Sequence, residues 1–272
     1  ILAHLDDFLY KVILKNLLKT SKLGYGLIIT GAESGTNFEH IYNNKPEGRF
    51  VLGKFIDRAL LNLPATRATR GRKDEIKRIL WNEIENNRLM GRKSKILDLA
   101  SGGARYLREL KEEHNTGDVE SICIDKDLNC IRLGRDLVKS ENIGNIKFIK
   151  GDLFHLKLLK KFSSKINWRP NIIVASGLFI YFNNNNVEQM LTEIFESLEN
   201  YGIVVFQSYE QLNTRKLMRK TMSTSKGEEW TLYYRKPHYW RALLHKIGYK
   251  GPLIIRDQWH MNNICTARKI LD

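Results

Sequence analysis

The sequence predicts an α/β protein: a seven-stranded, mostly parallel, doubly wound sheet with an antiparallel C-terminal hairpin, preceded by an N-terminal helical cap. Three observations support this fold class. Residues 95–106, KILDLASGGARY, have the pattern of an apolar strand, followed by a turn of small residues and the start of a helix. The apolar segments that follow alternate with helical patterns, as in consecutive βαβ units. Two last strand-like segments, 253–259 and 264–270, have a connection short enough for a hairpin.

The residues ahead of this sheet are predicted to be mainly helical. Apolar residues recur at helical spacing in 1–20, in 50–61 and from Asp74 onward, and Asp74 is a residue type that begins helices. The stretch 21–48 is rich in Gly and Asn, which predicts turns. Pro64 is expected to end the second helix. Residues 65–73, ATRATRGRK, would then form a basic loop.

Three of the predicted strands end in an acid: Asp98, Asp125 and Asp152. The first acid is followed by small residues, where a backbone can approach a ligand closely and a new helix offers unpaired N–H groups. Carboxyl ends of parallel strands share one edge of a sheet, and ligands of open α/β sheets bind along that edge. The sequence therefore predicts a nucleotide-type cofactor site there.

The spacing within this turn can be compared with the turns of known cofactor sites. A dinucleotide-binding turn would be G-x-G-x-x-G, whereas residues 98–104 follow the pattern acid-x-small-x-Gly-x-small. This pattern resembles motif I of class I methyltransferases that use S-adenosylmethionine, although Ala100 and Ala104 replace two of that family's usual glycines. DRALLNLPATRATRGRK, GRDLV, ASGLFIYF and the closing DQW…ARK resemble a group of bacterial class I methyltransferases, sometimes fused to an α/β-hydrolase. The resemblance covers about residues 48–270.

The resemblance implies S-adenosyl-L-methionine as cofactor, with S-adenosyl-L-homocysteine as its product. It implies that residues 1–92 cap the cofactor and build the substrate pocket, and that residues 93–272 form the catalytic domain. The second strand-end acid would bind ribose hydroxyls, and the third would contact the adenine amino group. The implied cofactor-binding residues are Asp98, Ala100, Ser101, Gly102, Gly103, Asp125, Lys126, Asp152, Leu153, Phe154, Ser176 and Gly177.

The candidate catalytic residues are Tyr181, Arg67 and Arg70. Tyr181 follows the fourth strand, where the acceptor pocket should form, although core packing explains an aromatic residue there equally well. The planar guanidinium of Arg suits a carboxylate or phosphate, so the two arginines are expected to face the cofactor's methionine carboxylate or an anionic acceptor. A solvated surface turn is the alternative. No Cys/His spacing is typical of a zinc site.

The predicted function is methyl transfer to a small or lipid-like acceptor. Methylation of RNA or protein is an alternative that the net charge of +15 permits, and a protein that binds the cofactor without catalysis is another. The turn spacing and the terminal hairpin both disfavour a dehydrogenase. The sequence after the fourth strand, SGLF, lacks the Asn/Asp-Pro-Pro-aromatic box of enzymes that methylate exocyclic base amines.

Three features of the sequence bear on the cellular location of the protein. No apolar run approaches the roughly 20 residues of a membrane span, and no signal peptide is evident near the first residues. The three cysteines lie in segments that are expected to be buried, which is typical of reduced core thiols. We therefore expect a cytoplasmic protein, and the sequence leaves its oligomeric state open.

Overall fold

The computed structural model describes residues 13–32, 34–114, 116–153, 168–210 and 231–271. These residues belong to two compact units. The first includes residues 13–70, and the second includes residues 71–210 and 232–271. The functional division into residues 1–92 and 93–272 stays a prediction, because compactness does not assign function.

Four helices in the described part of the first unit are α1 (Lys15–Leu18), α2 (Lys22–Ile29), α3 (Gly35–Asn43) and α4 (Phe50–Leu61). The helix predicted over 50–61 is confirmed at both ends. The turns predicted over 21–48 are confirmed at Gly31 and Asn44, which are left-handed and follow α2 and α3, but these two helices occupy most of that stretch. Gly24 and Gly26 are packing residues inside α2: a Cβ at Gly24 would lie 2.3 Å from the carbonyl oxygen of Leu18. The helix predicted over 1–20 falls mostly outside the described residues.

A buried carboxylate holds these helices together. Asp57, on α4, accepts hydrogen bonds from Ser21 Oγ at 2.7 Å, from the backbone N–H groups of Leu23 and Glu47 at 2.8 and 2.9 Å, and lies 2.8 Å from His40 Nε2. Burial alone would raise the pKa of Asp57, but the hydrogen bonds from His40 and the other donors outweigh burial, and the pKa is lowered. The ionised form is therefore the form that the fold stabilises.

The next helix corrects the prediction for residues 65–73. Helix α5 runs from Pro64 to Leu89, so ATRATRGRK is helical and Asp74 lies inside the helix. Pro64 begins this helix, since a proline at the first helical position gives up no backbone hydrogen bond. Ala and Arg are good helix formers. Gly71 makes room for a neighbour, because a Cβ there would lie 2.7 Å from Cζ3 of Trp259.

The rest of the second unit alternates strands and helices. Its described elements, after α5, are β1 (Lys95–Leu99), α6 (Arg105–Glu113), β2 (Glu120–Asp125), α7 (Leu128–Ser140), β3 (Ile146–Lys150), β4 (Ile172–Ala175), α8 (Asn184–Ser197), β5 (Ile203–Tyr209), α9 (Pro237–Ile247), β6 (Lys250–Arg256) and β7 (Asn262–Arg268).

The strands form one seven-stranded sheet in the order β3-β2-β1-β4-β5-β7-β6. The first five strands of this order pair in parallel, and β7 pairs antiparallel with both β5 and β6. This confirms the predicted fold class. The C-terminal strands are displaced from their predicted ranges, because β6 begins at Lys250 and β7 begins at Asn262.

Both faces of the sheet are buried, as expected for parallel strands. Helices α8 and α9 pack on the face that carries Leu97 and Val204. Helices α5, α6 and α7 pack on the opposite face, which carries Ile96 and Val205. The strand order reverses between β1 and β4, and the crevice at such a reversal is where open α/β sheets bind ligands.

Within the described ranges, no helix is both long and apolar enough to cross a bilayer. Cys123, Cys130 and Cys265 are buried and form no disulfide. The cytoplasmic location stays a prediction.

Candidate cofactor and acceptor site

The turn after β1 has an unusual backbone. Ala100, Gly102 and Ala104 have φ angles of 56°, 54° and 53°, so every second residue of the turn is left-handed. That conformation is easy for glycine and costs an alanine about 1–2 kcal/mol. The turn therefore keeps a shape that suits glycine at all three positions. This explains why its spacing resembles motif I despite the two alanines.

One strand-end acid organises the surrounding turns. Asp125 Oδ2 accepts from the backbone N–H of Gly102 at 2.8 Å, and Oδ1 accepts from that of Asp127 at 2.8 Å. The carbonyl oxygen of Asp125 accepts from Gly151 N–H at 2.9 Å, so this residue connects the turns after β1, β2 and β3. Burial raises the pKa of Asp125 despite these backbone hydrogen bonds. Each carboxylate oxygen has a second lone pair for a ligand hydroxyl.

The acid at the end of β1 is deeper. Asp98 is fully buried, and Tyr106 Oη, on α6, donates to its Oδ1 at 2.5 Å. Burial raises the pKa of Asp98 to about 8, the hydrogen bond from Tyr106 opposes the rise, and the negative charge of Asp125 adds to it. Within the described part of the chain, Oδ2 has no hydrogen-bond partner. Buried polar atoms are nearly always paired, so this oxygen fits a ligand group that forms a hydrogen bond with a carboxyl.

The turn's other members line the same edge of the sheet. Ser101 N–H donates to the carbonyl oxygen of Ile124 at 3.2 Å, and the carbonyl oxygen of Gly103 accepts from Arg108 Nε at 3.0 Å. Lys126, directly after β2, is exposed. The structure thus brings the predicted residues of the first two strand ends into one cluster.

The other predicted cofactor residues follow β3 and β4. Asp152 is exposed and Leu153 is buried. Ser176 and Gly177 are half-buried, and Gly177 is left-handed with φ 77°. Phe154 lies outside the described residues. Because β1 and β4 are neighbours, Ser176 and Gly177 border the same crevice as the turn after β1.

Tyr181 is the last residue of a short 3-10 turn after β4, Phe179–Tyr181. It is half-buried. The buried Arg235 holds this turn in place, because it donates hydrogen bonds to the carbonyl oxygens of Phe179 and Phe182 at 3.0 and 2.5 Å. Its Nε also donates to the side-chain oxygen of Asn184 at 2.9 Å. Arg235 is not among the predicted residues, because it lies more than 50 positions from the turn that it holds.

The predicted catalytic arginines make local contacts. Arg67 is exposed and donates to the side chain of Asn62 at 3.1 Å. Arg70 donates to the carbonyl oxygens of Leu61 and Ile41 at 2.9 and 3.4 Å. These bonds connect the first turns of α5 to α3 and α4. A catalytic role for either arginine stays a prediction.

A different arginine reaches the sheet edge. Arg72 is only 4% exposed, and its Nη1 donates to Gln207 Oε1 at 3.4 Å. The same nitrogen lies 3.6 Å from where a Cβ of Gly177 would be. Arg72 is therefore at the carboxyl ends of β4 and β5. Helical spacing could have indicated this position from the sequence. Ile76 and Ile79 follow Arg72 by four and seven residues, so a helix places Arg72 on the same face as these two buried residues.

The chain is similar to known proteins along nearly its whole length. A family model described as "Putative methyltransferase" matches residues 2–269. The Escherichia coli (strain K12) protein YnbC, described as uncharacterized, is 23% identical over 242 residues. The match covers 88% of this chain and 40% of YnbC, so the chain spans less than half the length of that relative.

Solved structures share the fold. A crystal structure described as a possible exported protein from Bordetella parapertussis has a TM-score of 0.72 at 17% identity, with 94% of this chain and 86% of that chain covered. Magnesium protoporphyrin IX methyltransferase (ChlM) from Synechocystis PCC 6803, with bound SAH, has a TM-score of 0.56 at 11% identity, with 86% and 94% covered. Similarity at these identities shows the fold.

Proposed function

We propose that the chain, which belongs to the methyltransferase family whose model matches residues 2–269, transfers a methyl group from S-adenosylmethionine to a small or lipid-like acceptor. The observation that supports this most is the turn after β1. Every second residue from Ala100 to Ala104 is left-handed, and Asp125 holds this backbone in place by accepting a hydrogen bond from Gly102 N–H. The turn borders the crevice where the strand order reverses, which is where this class of sheet binds nucleotide-like cofactors.

The described residues suit that cofactor. S-adenosylmethionine supplies a methyl group on a sulfonium that is its own leaving group, so the protein mainly binds and orients. Asp125 would accept hydrogen bonds from ribose hydroxyls. The small residues 100–104 would let the methionine part lie close to the backbone, and Asp98 Oδ2 would form a hydrogen bond with one of its polar groups. Leu153 would pack against the adenine ring.

The acceptor would lie in front of β4. Tyr181 stands there on a turn that Arg235 holds in place, so its side chain would orient the acceptor or hold a proton at Oη. A general base is needed only if the acceptor atom is protonated at neutral pH. Where the acceptor atom is not protonated, the main contribution of the chain is to align the acceptor with the methyl group.

The placement of the basic residues of 65–73 favours a small acceptor over RNA. A phosphate-binding surface needs several exposed basic side chains on one face. Of the four in this stretch, Arg72 and Lys73 are buried, Arg70 is bonded to main-chain carbonyl groups, and Arg67 is exposed. A single exposed arginine makes a weak phosphate contact.

Calorimetry with S-adenosylhomocysteine, S-adenosylmethionine and NADH tests the cofactor. We expect micromolar binding of the first two, roughly −7 to −8 kcal/mol. Tight binding of NADH with no binding of the other two would contradict the proposal. Transfer of a labelled methyl group into a small-molecule and lipid extract, compared with total RNA, tests the acceptor class. Cofactor binding with no transfer into any fraction would instead favour the non-catalytic alternative.

A further inference from the structure

Helix α4 of the first unit carries its large apolar side chains on the outside. Phe50 and Val51 are each 86% exposed, Phe55 is 69% exposed and Leu52 is 55% exposed. A surface helix of a globular protein ordinarily turns its apolar face toward the core. We call the outward apolar face of α4, formed by these four side chains, the α4 patch.

The opposite face of α4 is the one that packs. Gly53, Asp57 and Leu61 follow one another at intervals of four residues and are all buried. A Cβ at Gly53 would lie 2.4 Å from the carbonyl oxygen of Thr20, Asp57 accepts the hydrogen bonds described above, and Leu61 belongs to a buried cluster with Leu23. The helix is therefore held in place without the α4 patch, so folding of this unit does not explain the exposed apolar residues.

The α4 patch is contiguous and has a cationic edge. At about 100° per residue, Val51, Leu52 and Phe55 fall within a sector of about 100° on the helix surface, and the exposed Lys54 and Arg58 lie along one side of that sector. The two phenyl rings alone expose roughly 300 Å². An apolar patch larger than a few hundred Å² with a polar rim marks a surface that binds a membrane or a protein.

The first residue of α4 has an unusual backbone. Phe50 is left-handed with φ 57°, an unfavourable conformation for a bulky residue. Its ring is almost fully exposed, so packing inside the unit gives little in return. Unfavourable backbone conformations of this kind are retained at functional sites more often than elsewhere. The exposure of Phe50 is thus a second indication that this face binds a partner.

The charges around the α4 patch determine the kind of partner. Residues 48–70 contain five basic residues and one acid, Asp57, which is fully buried. Arg49, Lys54 and Arg58 are exposed. A symmetric contact between two copies would place the same face against itself, and this segment has no exposed acid to pair with the cations. An anionic bilayer instead offers an apolar interior to the phenyl rings and phosphate groups to the cations.

We infer that the α4 patch is a membrane-binding surface, through which the protein attaches reversibly to bilayers that contain anionic lipids. Phe50, Val51 and Phe55 enter the boundary between headgroups and acyl chains, and Lys54 and Arg58 lie at the level of the phosphates. The inference does not rest on the proposed function, because it concerns the first unit and binding without cofactor. Where both hold, attachment brings the enzyme to the surface that contains lipid-like acceptors.

Sedimentation with vesicles tests the inference. The vesicles contain phosphatidylcholine alone or an equimolar mixture of phosphatidylcholine and phosphatidylglycerol. One double variant, Phe50→Ser with Phe55→Ser, removes the phenyl rings, and another, Lys54→Gln with Arg58→Gln, removes the charges. Their matched controls are Leu89→Ser, at a leucine of α5 that is 87% exposed, and Lys139→Gln, at an exposed lysine of α7.

We expect wild type to bind the mixed vesicles and to bind phosphatidylcholine alone far more weakly. The partition constant for the mixed vesicles should fall at least about tenfold without the phenyl rings. It should fall about fivefold for each removed charge at low salt. Both controls should behave as wild type.

Three results would overturn the inference. The first is the absence of vesicle binding by wild type. The second is binding that depends on the two charges and not on the phenyl rings, because it would be the general attraction of a basic protein to an anionic surface. The third is a wild-type dimer in analytical ultracentrifugation that the phenylalanine variant loses, without vesicle binding, because the α4 patch would then be an interface between copies.

A labelled cysteine gives a readout that keeps both phenylalanines. Cys123, Cys130 and Cys265 are buried, so Val51→Cys supplies an exposed thiol for an environment-sensitive maleimide dye. The dye emission should shift to the blue when the mixed vesicles are added, and the same dye on Leu89→Cys should not respond. If the phenylalanine variant does not fold, this comparison decides. No shift at position 51, or an equal shift at position 89, overturns the inference.

Discussion

The pH dependence of stability should reveal the protonation state of Asp98. Its pKa in the folded protein is about 8, above the ordinary value of 3.8, because the carboxyl is buried. Between these two pH values the folded protein holds a proton that the unfolded chain has lost, so stability falls as pH rises. The slope approaches 1.4 kcal/mol per pH unit, which is about 3 kcal/mol between pH 5 and pH 7.

Asp98→Asn should remove this dependence. The amide has the shape of the protonated acid, and its oxygen can still accept from Tyr106 Oη. The free energy of unfolding is measured in urea at pH 5, 6 and 7 without cofactor. The difference between the variant and wild type should change by about 3 kcal/mol in favour of the variant from pH 5 to pH 7. Asp136→Asn, an exposed acid on α7, is the matched control and should show no such gain. A difference between Asp98→Asn and wild type that is constant with pH would mean that Asp98 is ionised in the fold, which refutes the reasoning.

Other substitutions test the site and its support. Asp125→Asn should weaken S-adenosylhomocysteine binding by about 1.5–3 kcal/mol in calorimetry, while unchanged affinity would make Asp125 purely structural. Ala104→Gly should raise the free energy of unfolding by up to about 1 kcal/mol, because it relieves a left-handed alanine; a loss of stability would argue against that backbone. Asp57→Ala should lower the free energy of unfolding, measured in urea, by about 3–5 kcal/mol, because several buried donors lose their acceptor. A loss below about 1 kcal/mol would contradict the network.

The sheet and the cofactor turn could be predicted because their signals are local. A buried parallel strand is a short apolar run, and the residues that shape its terminal turn are its immediate neighbours in sequence. Asp98, Gly102 and Asp125 do lie together at neighbouring strand ends, and their role in cofactor binding stays a prediction. The hydrogen bond from Tyr106 to Asp98 was not predictable, because it depends on how α6 packs against β1.

The hairpin shows a limit of the same approach. The predicted range of the last strand begins at Ile264, where the apolar run begins. The strand itself begins at Asn262, because Tyr209 and Ser208 of β5 pair with Asn262 and Asn263. Polar residues extend β7 only where a neighbouring strand supplies backbone partners. Register, which the sequence does not show directly, therefore places Asn263 beside Ser208.

The basic stretch 65–73 shows how one incorrect secondary-structure assignment changes a functional prediction. In a loop, four basic residues are equivalent, and Arg67 and Arg70 are as good candidates as any. On a helix, each residue turns about 100° from the one before it, so adjacent residues face different surroundings. Helical spacing puts Arg72 in line with Ile76 and Ile79, facing the sheet. The geometry of α5 thus separates Arg72, which is buried and reaches the ends of β4 and β5, from Arg67, which is exposed.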